Sequence, residues 1–141
     1  MIIMTYTKLK YKRGDIILVL FPNSDLRTAK LRPALIVQAD NLQTELSQII
    51  VAMISSNLGR AGHPSRILLK LNSPEGLRSG LLTDSVVMTD NLATITERAI
   101  DRVIGDSSMK EVDTALRHTL NLSIIPLFIF LINICILSNN S

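Results

Sequence analysis

Apolar residues recur along the chain in short, dense runs rather than at helical spacing. The first run, Ile16 to Phe21, is apolar at every position and too short for a typical helix. It predicts a strand covered on both faces. Gly14 and Asp15 open it, and Pro22-Asn23-Ser24-Asp25 is turn chemistry that ends it. A second strand is predicted at Ala34 to Gln38, directly after Arg32-Pro33 and a polar, basic loop. A third spans Gln48 to Ser55, with Ile49, Ile50, Val51, Met53 and Ile54 inside it. Arg66 to Leu71, Ser85 to Thr94 and the short Ile100 to Ile104 follow as the fourth, fifth and sixth. Ala39 to Ser47 reads as a connector with weak helical or turn character. Ser56 to Pro64 and Asn72 to Gly80 read as loops, since both are rich in Gly, Asn and Pro. No internal repeat is visible.

The period changes only near the end. Ser108 to Glu111 matches a capping box, and a helix is expected from there to about Leu120, with Met109, Val112, Leu116 and Leu120 on one face. Short strands with one helix predict a mainly β (α+β) fold, a small antiparallel barrel or sandwich closed by a C-terminal helix. After Leu122 the pattern shifts once more: Ile124 to Leu137 is apolar except for Pro126 and Asn133. Residues 1–122 are therefore expected to form the domain and residues 123–141 an apolar tail. Three readings of the tail compete. Counted from Leu120, it reaches the lower limit of a membrane span, with Lys110, Arg117 and His118 on the cytosolic side. It can instead be an element docked on a dimer, or out-of-frame sequence without a selected role. The cytoplasm is the expected location, with a C-terminal anchor as the alternative.

Length, charge and rare residue types narrow the function. A chain of 141 residues builds one domain with a modest core. The net charge is +3 and the sequence pI about 9.3. Lys8, Lys10, Lys12, Arg13, Arg27, Lys30 and Arg32 concentrate the positive charge in the first third, which suits a polyanionic partner. Cys135 is the one cysteine, so no intrachain disulfide and no cysteine-based zinc site can form. His63 and His118 are the only histidines and lie far apart in sequence. No metal or other cofactor is expected. No glycine-rich phosphate loop, G-x-S-x-G or H-E-x-x-H is present, which argues against nucleotide-binding α/β folds, α/β-hydrolases and zinc proteases.

Polar residues at strand ends remain. Pro33 lacks an N–H, so it belongs at the start of a strand or on an edge. Its ring holds Arg32 extended, which places Arg32 at a sheet rim. Ser55 and Ser56 end the third strand, and Asp90 and Asn91 come late in the fifth. In a small barrel such ends can converge. An arginine there would neutralise charge on a phosphoryl transition state, a hydroxyl would donate to a phosphoryl oxygen, and a carboxylate would help to deprotonate a 2′-OH. Each residue also has an ordinary reading, as a surface arginine, strand-terminating serines or a turn. Single-stranded RNA is held by cationic grooves and by stacking on planar groups. Outside the tail the aromatics are Tyr6, Tyr11 and Phe21 only. Arg27, Lys30, Arg60 and Arg66, with Ser56 and His63, are the expected RNA contacts.

Three blocks together resemble the MazF/PemK family of type II toxin–antitoxin toxins: Arg13-Gly14-Asp15-Ile16-Ile17, Leu31-Arg32-Pro33-Ala34-Leu35-Ile36-Val37 and Val51-Ala52-Met53-Ile54-Ser55-Ser56. Thr83 to Asp90 matches more loosely, and the blocks cover about Lys12 to Leu120. The resemblance implies a small SH3-like barrel with a C-terminal helix, a homodimer, and a cognate antitoxin as partner. It also implies metal-independent, sequence-specific cleavage of single-stranded mRNA by 2′-OH attack, leaving a 2′,3′-cyclic phosphate and a 5′-OH. By position it makes Arg32 the catalytic arginine, Ser55 the hydroxyl residue and Asp90 the acidic residue. Two departures stand out. A Glu-Gln pair frequent before the R-P block is replaced by Leu26-Arg27-Thr28-Ala29-Lys30, with Asp25-Leu26 resembling a subgroup, and Met88 stands where an arginine is frequent. Two alternatives follow: a non-catalytic toxin on the same barrel that poisons a protein such as DNA gyrase, or an inactive remnant.

Overall fold

The computed structural model describes residues 10–123 and 125–139, without the side chains of residues 125–130; Tyr6 and Lys8 lie outside this range. Six strands form one antiparallel sheet: β1 (Asp15–Pro22), β2 (Ala29–Ile36), β3 (Gln48–Ser55), β4 (Arg66–Leu69), β5 (Ser85–Thr96) and β6 (Ile100–Asp106). Their spatial order is β4-β5-β3-β2-β1-β6. The helices are α1 (Pro74–Ser79), α2 (Lys110–Leu120) and α3 (Ile125–Asn139).

The unbroken apolar run of β1 has the predicted consequence. Ile16 packs with Leu35, Ala52, Ile54, Val87 and Val112 in one buried cluster. Ile17 and Val19 pack with Ala34, Ile36, Val51, Ile95 and Ile100 in a second cluster. Successive strand residues point to opposite faces, so the sheet has a core on each side. α2 covers the first, burying Val112 and Ala115.

The Arg-Gly-Asp block attaches that helix. Gly14 adopts φ +94°, a left-handed conformation that glycine enters without steric cost, and its N–H donates to the Ile36 carbonyl. Arg13 is then aimed back over the sheet: Nε donates to the Val37 carbonyl at 2.9 Å, and Nη2 pairs with Asp113 of α2 at 2.7 Å. Asp15 accepts from the Lys12 N–H.

The sheet curls into a barrel-like form but does not close, because β4 and β6 remain unpaired with each other. α1 bridges the gap. A Cβ at Gly76 would overlap the Lys70 carbonyl just beyond β4, and one at Gly80 would overlap the Ile104 carbonyl of β6. The sequence pattern predicts a loop here, although the helix start signal is present: Ser73 caps by accepting from the Gly76 N–H, and Pro74 occupies the first turn.

Two further expectations are corrected. Ser108 does not cap α2; the cap position is Met109, with no side-chain hydrogen bond. β2 begins at Ala29 rather than Ala34, so Arg32 lies inside the strand, opposite Val19. A proline is tolerated there because β2 pairs with β3 only over Ala34–Ile36. Ala29 to Pro33 bond to β1 alone, which leaves an open edge for the missing N–H. The tail forms α3, and every residue from 131 to 139 is exposed. No helix among the described residues is long and apolar enough to cross a membrane.

Candidate functional site

The one-sided pairing of β2 creates the site. β3 leaves β2 after Met53 and continues against β5, with Ile54 opposite Val87 and Ser55 opposite Val86. The sheet forks there. Between the prongs lies a cavity of about 480 Å³. Lys30, Leu31, Arg32 and Pro33 form one wall; Met53, Ile54, Ser55 and Ser56 form the other. Ser85, Met88 and Asn91 of β5, Arg60, Thr83 and Arg102 also line it, with Leu18, Ile104 and the stretch from Gly80 to Leu82.

Arg102 reaches the cavity through register. Leu18 of β1 lies opposite Pro33 on one side and Arg102 on the other, so three strands put these residues in a row. Nothing in the local pattern of β6 marks Arg102 as functional; only the β1–β6 pairing could have. Asn91, expected with Asp90 late in the fifth strand, lines the cavity, and Asp90 does not.

The lining contains Lys30, Arg32, Arg60 and Arg102 and no carboxylate. Among the described residues, no ion pair engages Lys30, Arg32 or Arg60, while Arg102 pairs with its neighbour Asp101. Such a concentration of one sign in a concave site favours an anion. The hydroxyls of Ser55, Ser56 and Thr83 add donors alongside the cations, while the Ser85 hydroxyl donates to the Thr83 carbonyl.

The cavity therefore assembles Arg32, Ser55, Ser56, Lys30 and Arg60 from the sequence-derived set, and four of that set lie elsewhere. Asp90 is directed to Arg66, accepting from Nη2 at 2.8 Å and Nε at 3.3 Å. That guanidinium lowers the Asp90 carboxyl from its ordinary range, and Asp90 in turn raises Arg66. His63 accepts from the Ser65 N–H through Nδ1, and its ring meets the edge of His118 with centroids 6.0 Å apart. Arg27 is exposed in the β1–β2 turn, which Asp25 organises by accepting from the Arg27 and Thr28 N–H groups. These donors hold the Asp25 carboxyl below its usual value. No cluster of metal-ligating side chains occurs among the described residues.

A small, barrel-like antiparallel sheet with a C-terminal helix and a cationic, hydroxyl-lined fork defines a class of compact β proteins built to hold an anion. Residues 12–120 match the family described as PemK-like, MazF-like toxin of type II toxin–antitoxin systems. The chain belongs to that family. It is 32% identical over 102 residues to endoribonuclease MazF6 of Mycobacterium tuberculosis and to endoribonuclease MazF2 of Mycobacterium bovis, covering 72% of this chain and 88% of each relative. The fold is shared with the M. tuberculosis toxin MazF-mt6, with a TM-score of 0.60 at 23% identity, covering 77% of this chain and 98% of that one. It is also shared with MazF in a MazE–MazF structure from Deinococcus radiodurans, with a TM-score of 0.60 at 15% identity, covering 82% and 100% of the two chains. A mycobacterial endoribonuclease bound to its cognate antitoxin superposes with the same TM-score of 0.60 at 19% identity, over 80% of this chain and 97% of that one.

Proposed function

We propose that this toxin is a sequence-specific, metal-independent endoribonuclease that cuts single-stranded mRNA at the fork between β2 and β3. The observation that carries the reading is the convergence of Arg32 and Ser55 in a cavity lined by four cations and no carboxylate. In the proposed reaction the 2′-oxygen attacks the adjacent phosphorus, and the P–O5′ bond breaks. The products are a 2′,3′-cyclic phosphate and a 5′-OH. Arg32 stabilises the added charge on the phosphoryl oxygens, and Ser55 donates a hydrogen bond to one of them. Water takes the 2′-OH proton and supplies one to the 5′-oxygen, since neither a carboxylate nor an imidazole lines the cavity.

The protein works in the cytoplasm as a homodimer, and its inhibitor is a cognate antitoxin whose acidic segment covers the cationic fork. The relatives' endoribonuclease names and the antitoxin-bound mycobacterial structure support this reading. The test is cleavage of an RNA oligonucleotide mixture in EDTA by the wild type and by Arg32→Ala. Cutting by the wild type, with a loss of about 100-fold or more in kcat for the variant, is expected. Equal cutting by both proteins overturns the assignment of Arg32, and loss of wild-type activity in EDTA overturns metal independence.

A further inference from the structure

We propose that Arg60 supplies a second phosphate-facing cation to the fork, and that Met88 in the cavity lining, with Arg66 and Asp90 outside it, holds it there. The inference rests on the endoribonuclease reading above and assigns Asp90 to positioning rather than proton transfer.

Arg60 ends a short 3-10 turn, Leu58–Arg60, which follows Ser55 and Ser56 directly. Asn57 caps the turn by accepting from the Gly59 N–H, so the chain leaves the cavity wall and folds back over it. Two contacts then fix Arg60 from opposite ends. At its tip, Nη1 lies 3.5 Å from the Met88 sulfur, a weak acceptor on the buried side of the same cavity. At its backbone, the carbonyl accepts from Arg66 Nη1 at 3.1 Å. Arg66 is itself clamped by Asp90, through Nε and Nη2 together. The fork-to-fork geometry of that pair restricts the guanidinium plane, which directs the remaining nitrogen at the turn.

The consequence is an ordered relay from β5 to the cavity. Asp90 orients Arg66, Arg66 holds the Arg60 carbonyl, and Met88 supports the Arg60 side chain. A sulfur neutralises no charge, so the Arg60 guanidinium keeps its full charge for a ligand. Arg32 stands on the β2 wall and Arg60 enters from the side of β3 and β5. A phosphodiester in the fork meets a guanidinium from each side, and charge that develops in the transition state is shared between them.

The discriminating experiment moves the cation. Arg60→Ala removes it; Asp90→Asn weakens the clamp; Met88→Arg places a guanidinium on β5, where neither the turn nor the clamp is needed. Cleavage of one defined RNA is read as kcat and KM separately, with thermal midpoints recorded for every variant. Arg60→Ala is expected to lower kcat by at least about 30-fold, and Asp90→Asn by about 5-fold or more, with Arg60→Lys falling between Arg60→Ala and the wild type. Adding Met88→Arg to either deficient variant is expected to restore kcat to within about 5-fold of the wild type. Full activity of Arg60→Ala overturns the proposal. So does failure of Met88→Arg to restore either deficient variant while its midpoint is unchanged; for Asp90→Asn that result returns the carboxylate to proton transfer.

A binding arm separates this proposal from the reaction itself. A 2′-deoxy oligonucleotide cannot be cut, so its affinity is independent of catalysis. Arg60→Ala is expected to flatten the plot of log affinity against log salt by about 0.7, the value for one lost phosphate contact on a single strand. An unchanged slope overturns the Arg60 contact even if the wild type cuts RNA. A changed slope with a wild type that cuts nothing supports the contact and overturns the nuclease reading alone.

Discussion

The sequence offers Arg32, just before a predicted strand, and Asp90, late in another, as site residues, and packing separates them. Arg32 lines the cavity with no ion pair among the described residues, whereas Asp90 is engaged twice by Arg66. The Arg66 clamp gives Asp90 a measurable signature. Its folded pKa is lowered below 3.8, so the pair stabilises the native state above that value and loses this contribution as pH falls through the folded pKa. The thermal midpoint of the wild type should exceed that of Asp90→Asn at pH 7, and the two should converge as acidification passes the lowered folded pKa of Asp90. A gap that persists in acid would show that the carboxylate charge is not what Asp90 contributes. Ser55→Ala keeps the β3–β5 backbone pairing and removes only the hydroxyl. It should lower kcat by about 10-fold or more with little change in the urea midpoint, and a KM effect alone would place Ser55 in binding.

The strands were legible because two-sided burial leaves an unmistakable run of apolar residues, and β3 begins and ends where its sequence predicts. α1 was not, since a helix this short has no periodicity to read and only its Ser-Pro start identifies it. Its importance comes from position between the free edges of β4 and β6. Gly80 adopts φ +70° against the Ile104 carbonyl, leaving no room for a side chain. Gly80→Ala should destabilise the protein by more than about 2 kcal/mol in urea unfolding. A smaller loss would mean that α1 is dispensable to the curl of the sheet.

Seen whole, the molecule is a cationic fork on a two-cored sheet, with an apolar helix, exposed over residues 131–139, following it in sequence. The family match ends at residue 120 and α2 ends at Leu120, both before α3 begins. Truncation after Leu122 should leave the thermal midpoint and RNA cleavage within error of the full chain while reducing self-association, measured by light scattering. A fall in the midpoint would show that α3 docks on the domain. A helix apolar on all sides is normally buried in protein or lipid, so a shift from the membrane to the supernatant fraction on truncation would identify it as an anchor. RNA affinity of the full chain should also fall steeply between low and physiological salt, because the cavity carries cations without compensating carboxylates.

By itself the sequence determined the strand runs, the terminal helix, the lack of a second cysteine for an intrachain disulfide, and Arg32 as the first residue to test. These are local properties: side-chain period, residue inventory and the restriction that Pro33 imposes on its neighbour. Tertiary structure decided everything that depends on pairing. Arg32 lies within a strand because β2 pairs on one side only over Ala29 to Pro33, and that same interruption opens the fork. Arg102 enters because β6 bonds to β1. Asp90 turns away because Arg66, 24 positions earlier, meets it across the antiparallel β4–β5 pair. Register across strands is set by contacts distant in sequence, and that is why the cavity's membership could be known only once the sheet was assembled.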